Sequence, residues 1–275
     1  MVLAIVADST VYLTKKEASA YGVRIVPQTY IIGGRVYKET YADTFGDFPS
    51  LIKNSKLTME TAQPSVDEFL DAFRHLSKKG YDILCITISS RLSSAYYNAV
   101  LAKKQLNSGR VEVVDSSLTA GGMYLLVKKA RHLAAGGLGL EEVVGGIYRY
   151  MPSISIRFSV DDLSLLRSSH RLGSVRKSVS AVLNRKPLLR LSGGTIIAED
   201  IACGSSNKIR KMFAGIPYNT ANIIIHYIVP SQRIDMIARL AHRLFPDAVV
   251  ERRQLGPVLG IHLGCSVIGV VWSTK

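Results

Sequence analysis

Apolar and polar positions along this chain alternate between two rhythms. Val2 to Ala7 is an unbroken apolar run ending at Asp8-Ser9-Thr10, which predicts a buried strand that stops in a polar turn. Thr14-Lys-Lys-Glu17 has the spacing at which a hydroxyl and a carboxylate satisfy each other's free backbone donors, and Gly22 suits a left-handed stop, so a short helix is expected between them. Val23 to Ile32 alternates as a strand, and Gly33-Gly34 predicts a tight hairpin before Arg35-Val36-Tyr37. Ser65-Val-Asp-Glu68, just after Pro64, opens a second helix with Val66, Phe69, Leu70, Phe73 and Leu76 on one stripe. Tyr81 to Ser89 then reads as a strand and Leu92 to Leu106 as a helix with apolar Leu92, Ala95, Ala99 and Ala102. Val111 to Asp115 is the next strand, and Gly122 to Ala135 the next helix.

Strands alternating with helices predict a mostly parallel sheet with helices on both faces. Ligands of such sheets bind beyond the carboxyl ends of the strands. Asp8-Ser9-Thr10, Ser89-Ser90 and Asp115-Ser116 all fall at such ends, so three polar clusters are expected along one edge. After about residue 155 the rhythm changes. Leu188 to Leu191, the turn Ser192-Gly193-Gly194 and Thr195 to Ala198 read as a hairpin. Asn222 to Val229, Ala248 to Glu251 and Val267 to Trp272 read as further strands, with a helix around Ile234 to Leu244. The fold class expected is α/β in two domains: residues 1–157 with the mostly parallel sheet, and residues 158–275 with mixed pairing.

Composition adds an apolar content of 47%, enough for a real core in 275 residues. The first residues are apolar without a basic leader, and no run approaches the roughly 18 apolar residues of a spanning helix. Cys85, Cys203 and Cys265 are odd in number and lack CxxC spacing, which fits free thiols in a reducing compartment. A cytoplasmic location is expected. Charge changes the picture more: 35 Lys and Arg against 21 Asp and Glu leave a net +14. No acidic residue occurs between Leu163 and Ala198, where Arg167, Arg171, Arg176, Lys177, Arg185, Lys186 and Arg190 all stand. This stretch is either a solvated basic face or a surface that meets anions.

Several chemistries lack their motif. The sequence has no GxxxxGK followed by Ser or Thr, no GxGxxG after the first strand, no HExxH and no GxSxG. Six histidines are scattered without metal-ligand spacing. What remains is a set of hydroxyls. Ser93 and Ser94 fall in the first turn of a helix, where free N–H groups and the helix dipole favour an anion. Thr61 stands in TAQPS just before another helix start, and His262 lies among glycines in GPVLGIHLG. Capping explains serines at helix starts as readily as ligand binding does, and a lone histidine is commonly a core residue.

In order along the chain, VADSTVYL, VRIVPQTYIIGGRVY, TAQPSVDEFL, ITISSRLSSAYYNA, VEVVDSS, DDLSLLRSSHRLG, NRKPLL and GPVLGIHLG resemble the DegV family of fatty-acid-binding proteins. The resemblance spans essentially the whole chain. It implies a two-domain DegV-like fold that buries one long acyl chain between or within the domains. It further implies a non-catalytic protein that presents the fatty acid's carboxyl group to a separate fatty acid kinase catalytic subunit, which converts it to an acyl phosphate. Carried over by position, Thr61 and Ser93 hold the carboxylate, with His262 beside them and Arg171 near the head group; Ala62 and Ser94 are further ligand-binding candidates. No metal or cofactor is implied beyond the bound fatty acid, and transient contact with anionic membrane fits the basic stretch.

The chain departs from the family pattern around the head group. Ala62 replaces a second hydroxyl residue, and Ser94-Ala95 stands where Gly-Thr is usual. Ser169-His170 replaces two glycines, and Gly264-Cys265-Ser266 replaces Gly-Pro-Gly. These positions govern how closely the backbone approaches the carboxyl group. The energetics of the implied binding are coherent. About fourteen methylenes at about 0.8 kcal/mol each give on the order of 11 kcal/mol gross, much of it offset by ordering and association. The carboxylate must not be left buried and unpaired, and hydroxyls, an imidazole and a guanidinium meet that need.

Two other classes remain beside this one. In an acyl-transfer or hydrolytic enzyme Ser93 would be the nucleophile and His262 the base, which requires an orienting acid and an oxyanion hole. In a nucleic-acid-binding protein the net charge would do the work, although no binding motif or cluster of aromatics accompanies the basic stretch. The resemblance implies no nucleic-acid partner.

Overall fold

The computed structural model describes residues 2–54, 57–161, 163–172 and 185–275. The chain begins β1 (Leu3–Asp8), α1 (Lys15–Tyr21), β2 (Val23–Val26), β3 (Gln28–Ile32), β4 (Arg35–Glu39), α2 (Phe48–Asn54) and β5 (Met59–Ala62). It continues α3 (Val66–Ser77), β6 (Asp82–Thr87), α4 (Ala95–Gln105), β7 (Val111–Asp115), α5 (Gly121–Ala135) and α6 (Leu140–Tyr150). Then follow β8 (Ile154–Ser159), α7 (Ser164–Ser168), β9 (Arg185–Ser192), β10 (Thr195–Cys203), α8 (Gly204–Phe213) and β11 (Thr220–Tyr227). The last elements are α9 (Gln232–Leu244), β12 (Val249–Gln254), α10 (Pro257–Leu263) and β13 (Ile268–Thr274). They form two compact units, Met1–Gly46 with Lys56–Pro152, and Asp47–Ser55 with Ser153–Lys275. The second unit takes in α2 and the whole of β8, a strand through which the expected boundary at 157/158 runs.

In the first unit β2-β1-β6-β7 form a parallel sheet. Every residue of β6 is buried, as the continuous apolar run Ile83-Leu84-Cys85-Ile86 requires. Both capping boxes form: Thr14 with Glu17 at the start of α1, and Ser65 with Glu68 at the start of α3. Helix α4 turns Ala95, Ala99 and Ala102 inward at 0% exposure, so its axis lies close to its neighbours. The stretch Val23 to Ile32, expected as one strand, is two. Pro27 has no N–H to donate and restrains Val26 before it, so the ladder breaks there. β2 stays in the parallel sheet, whereas β3 pairs antiparallel with β4 and β5 in a separate three-stranded sheet. The β3–β4 hairpin turns on Gly33 and Gly34, with φ of 56° and 79°, values that suit glycine at both central positions.

The second unit is a six-stranded mixed sheet in the order β10-β9-β8-β13-β11-β12. Leu188, Ile223, Ile225, Ile268 and Val270 of the sheet pack against Met212 and Phe213 of α8 and Ile234, Ile237 and Ala241 of α9 in one core. Helix α10 packs on α2 and α7. A Cβ added to Gly260 of α10 would lie 2.3 Å from Cζ of Phe48, so only glycine lets these two helices approach this closely. Of the basic stretch, Arg176 and Lys177 lie outside the described residues. No helix among the described residues is long and apolar enough to cross a membrane. No group of three or more His, Cys, Asp or Glu side chains among them could hold a metal ion.

Candidate functional site

The three polar clusters expected at the carboxyl edge of the parallel sheet do meet there, and they bond to one another. Asp8 accepts from Ile88 N at 2.6 Å through one oxygen; the other takes Thr10 N at 3.0 Å, Thr10 Oγ1 at 2.6 Å and Gln28 Nε2 at 3.4 Å. Burial pushes the Asp8 carboxyl up from its ordinary value, against the pull of these hydrogen bonds. Ser9 Oγ donates to Glu39 Oε1 at 2.9 Å and accepts from Gln28 N at 3.2 Å. Asp115 accepts from Ser90 N and Ser117 N, and Ser116 Oγ accepts from Leu118 N. These polar groups hold the loops in place.

Ser89 performs the turn that follows β6. Its carbonyl accepts from Leu92 N and Ser93 N, and its Oγ accepts from Arg91 N. Ser93 and Ser94 stand just ahead of α4 rather than inside its first turn. Ser94 is the N-cap but makes no side-chain capping bond, and it is exposed. The half-buried Ser93 accepts from Ala95 N at 3.3 Å, an arrangement in which its O–H can point elsewhere. Thr61 lies on β5 opposite Tyr30, half-buried, and the exposed Ala62 lies opposite Thr29. Asn98 Nδ2 donates to Pro64 O at 2.8 Å, tying the turn after Thr61 to the first turn of α4 after Ser93. Asn98 escaped sequence reasoning; its signal was a polar side chain on the helix turn that follows the serines.

Arg171 and His262 belong to the second unit. His262, 9% exposed, projects from α10, a short helix opened by Pro257 at its first position. Its pKa is lowered to about 4, first by burial and then by the charge of Arg171. The imidazole is therefore neutral at pH 7 and the nearby guanidinium carries the positive charge. Arg171, half-buried, donates through Nη1 to Ser169 O at 3.2 Å, and burial lowers its pKa.

The departures from glycine near Arg171 have a structural reading. Helix α7 closes with His170 N to Arg167 O at 3.1 Å and Arg171 N to Leu166 O at 3.3 Å, the bond pair of a Schellman stop. His170 occupies its left-handed position at φ 55°, where glycine is the usual residue. The turn that aims Arg171 thus survives the exchange. Beyond α10, Gly264 keeps a positive φ of 76°, Cys265 Sγ lies 3.6 Å from Pro49 O, and Ser266 Oγ accepts from Asp161 N at 3.2 Å.

The first unit thus has a hydroxyl-bearing helix start beyond its parallel sheet, and the second has a neutral histidine near an arginine. A family model described as "Uncharacterised protein, DegV family" matches residues 2–275, and the chain belongs to that family. It is similar to a DegV domain-containing protein of Halalkalibacterium halodurans, 28% identical over 277 residues and covering 98% of each chain. Its fold matches that of a DegV lipid binding protein from Thermotoga maritima with a TM-score of 0.89 at 24% identity, over 100% of this chain and 99% of the other. It is also similar to a DegV family protein from Thermus thermophilus whose structure is described for fatty acid binding, with a TM-score of 0.85, 25% identity and 100% of both chains covered.

Proposed function

We propose that this protein binds a long-chain fatty acid and presents its carboxyl group to a separate kinase for conversion to an acyl phosphate. Family membership and the lipid or fatty acid binding described for similar proteins support the first part. The observation that carries it here is Ser93. Asp8 and Asp115 at the sheet edge accept backbone N–H groups of the neighbouring turn, whereas the Ser93 hydroxyl leads into α4 with its oxygen held by Ala95 N–H. Such a group donates to an anion at a place where the helix dipole also favours one.

Thr61 is the second hydroxyl of the proposed carboxylate site, with Ala62 and Ser94 beside the pair. On the second unit, Arg171 with its positive charge and His262 with its neutral imidazole are the two further residues that the family resemblance assigns to the head group. Phosphoryl transfer falls to a partner because the sequence has no phosphate-binding loop of the GxxxxGK type. The basic stretch from Arg167 to Arg190 is the proposed contact with that kinase or with anionic membrane. The test is extraction of the purified protein with organic solvent and identification of the lipid by mass spectrometry. A stoichiometric fatty acid is expected; protein that carries none and takes up none on addition would overturn the reading.

A further inference from the structure

The end of the mixed sheet in the second unit carries more positive charge and more unused donors than the fold requires. Ser159, the last residue of β8, is paired with Leu188 of β9 and Ile268 of β13. Paired residues of antiparallel strands share a face, so Ser159 faces the side that packs against α8 and α9. It is 0% exposed and its Oγ has no hydrogen-bond partner among the described residues. Two residues on, Asp161 pairs with Lys186 of β9 at 3.0 Å and with Lys208 of α8 at 3.7 Å.

Lys208 is 2% exposed. Burial pushes its ammonium down from the ordinary value, the Asp161 charge acts against this, and Arg233 and Lys186 push it further down. Arg233, in the first turn of α9, has its Nη2 buried with no acceptor among the described residues. Lys186 and Lys208 thus meet at Asp161, Arg233 lies near enough to Lys208 for their charges to repel, and a buried hydroxyl and a buried guanidinium nitrogen have no partner among the described residues. Elsewhere on this unit Arg157 is matched by Glu199, Lys211 by Asp200 and Arg252 by Asp235. A buried donor left unpaired costs about 1–3 kcal/mol, so an acceptor bound at this place would be stabilising.

We propose that Ser159, Lys186, Lys208 and Arg233 form a binding site for a small tetrahedral oxyanion of the phosphate class. An anion of this kind offers several acceptor oxygens and a charge near −2, which complements the cations Lys186, Lys208 and Arg233. The depth of Lys208 selects a soluble phosphate over the headgroup of a bilayer. The site uses none of Thr61, Ser93, Arg171 and His262, so it stands or falls independently of fatty-acid binding.

The test is calorimetric titration and thermal unfolding of the full chain with sodium phosphate, against sodium chloride at matched ionic strength. Saturable heat and a phosphate-dependent rise in Tm are expected. Arg233→Gln and Lys208→Met should each weaken binding by about tenfold or more, the loss of one charged hydrogen bond. Asp161→Asn should tighten it, because the carboxylate competes for the same cations; a purely structural role for that ion pair gives no such gain. If Lys208→Met fails to fold, Arg233→Gln, at a partly exposed position, still decides. Fatty-acid affinity should be unchanged in Arg233→Gln. No saturable phosphate binding, binding indifferent to Arg233→Gln and Asp161→Asn, or binding only to phosphatidylglycerol vesicles would each overturn the proposal.

Discussion

The carboxylate of Asp8 accepts the backbone N–H of Ile88 at 2.6 Å, joining groups 80 positions apart in sequence. This bond fixes the exit of β6 to the exit of β1 and starts the turn that leads to Ser93. Asp8 serves four donors, and an asparagine in its place has a single acceptor oxygen. Asp8→Asn should destabilise the protein by about 1–3 kcal/mol even though it removes a buried charge. A urea midpoint equal to or above that of the parent would mean that the charge, not the hydrogen bonding, dominates at this position.

Ser93→Ala tests the carboxylate site. If the hydroxyl donates to a bound carboxylate, the loss is about 1.5–3 kcal/mol, or one to two powers of ten in affinity for a fatty acid. The fatty alcohol of equal length carries no charge and should lose much less. Binding is measured for both ligands on both proteins. Equal losses, or none, would make Ser93 a residue of the turn alone.

His170→Gly tests the turn that aims Arg171. The left-handed conformation costs a side-chain-bearing residue roughly 1–2 kcal/mol, less for histidine than for branched residues. Glycine gives part of this back through its greater freedom in the unfolded chain. The substitution should stabilise the protein by about 0.5–1 kcal/mol, read from the denaturation midpoint. Destabilisation would show that the exposed His170 ring makes a contact that outweighs the strain.

Acid should weaken the fold through two histidines. His226 and His262 both have pKa values lowered to about 4 from 6.5, in each case chiefly by burial. Between those values the unfolded chain binds protons that the folded protein does not, so stability falls as pH drops from about 6.5 through 4. Each contributes up to about 3 kcal/mol of that loss. Asp8 works in the opposite sense, since its raised pKa makes protonation easier in the folded state. Stability profiles of the parent and His262→Gln check this; the variant should lose less on acidification, and parallel profiles would rule out a titrating role for His262.

Much of the first unit was legible because its signals are local. Thr14 with Glu17 and Ser65 with Glu68 form the expected capping boxes, and the Ala95-Ala99-Ala102 stripe is buried as its spacing implies. Pro27 was the visible warning within Val23 to Ile32 that the alternation alone overrode. Helix α6 stayed hidden because Gly139, Gly145 and Gly146 blur its period, although Gly146 packs so tightly that a Cβ would lie 2.4 Å from Leu133. At the site, the serines of ISSRLSS marked the turn, but nothing local told Ser93 from Ser89. Ser89 and Ser90 are held through Leu118 and Asp115, which arrive with β7 and the loop after it. Lys208 was unreadable for the same reason: a lysine on an amphipathic helix reads as surface until the strand that buries it is known.

Helix α2 has a further consequence for how the molecule is made. Phe48 is 1% exposed and fills the space against Gly260, yet it comes from a segment enclosed on both sides by sequence of the first unit. During synthesis that ring waits without its partner until the last stretch of the polypeptide has emerged. A fragment starting at Ser153 would close around an absent phenyl group, a vacancy of the kind that costs about 3–5 kcal/mol. The two units are therefore not separable halves, and cutting the gene at their apparent border should yield an insoluble or loosely packed C-terminal product.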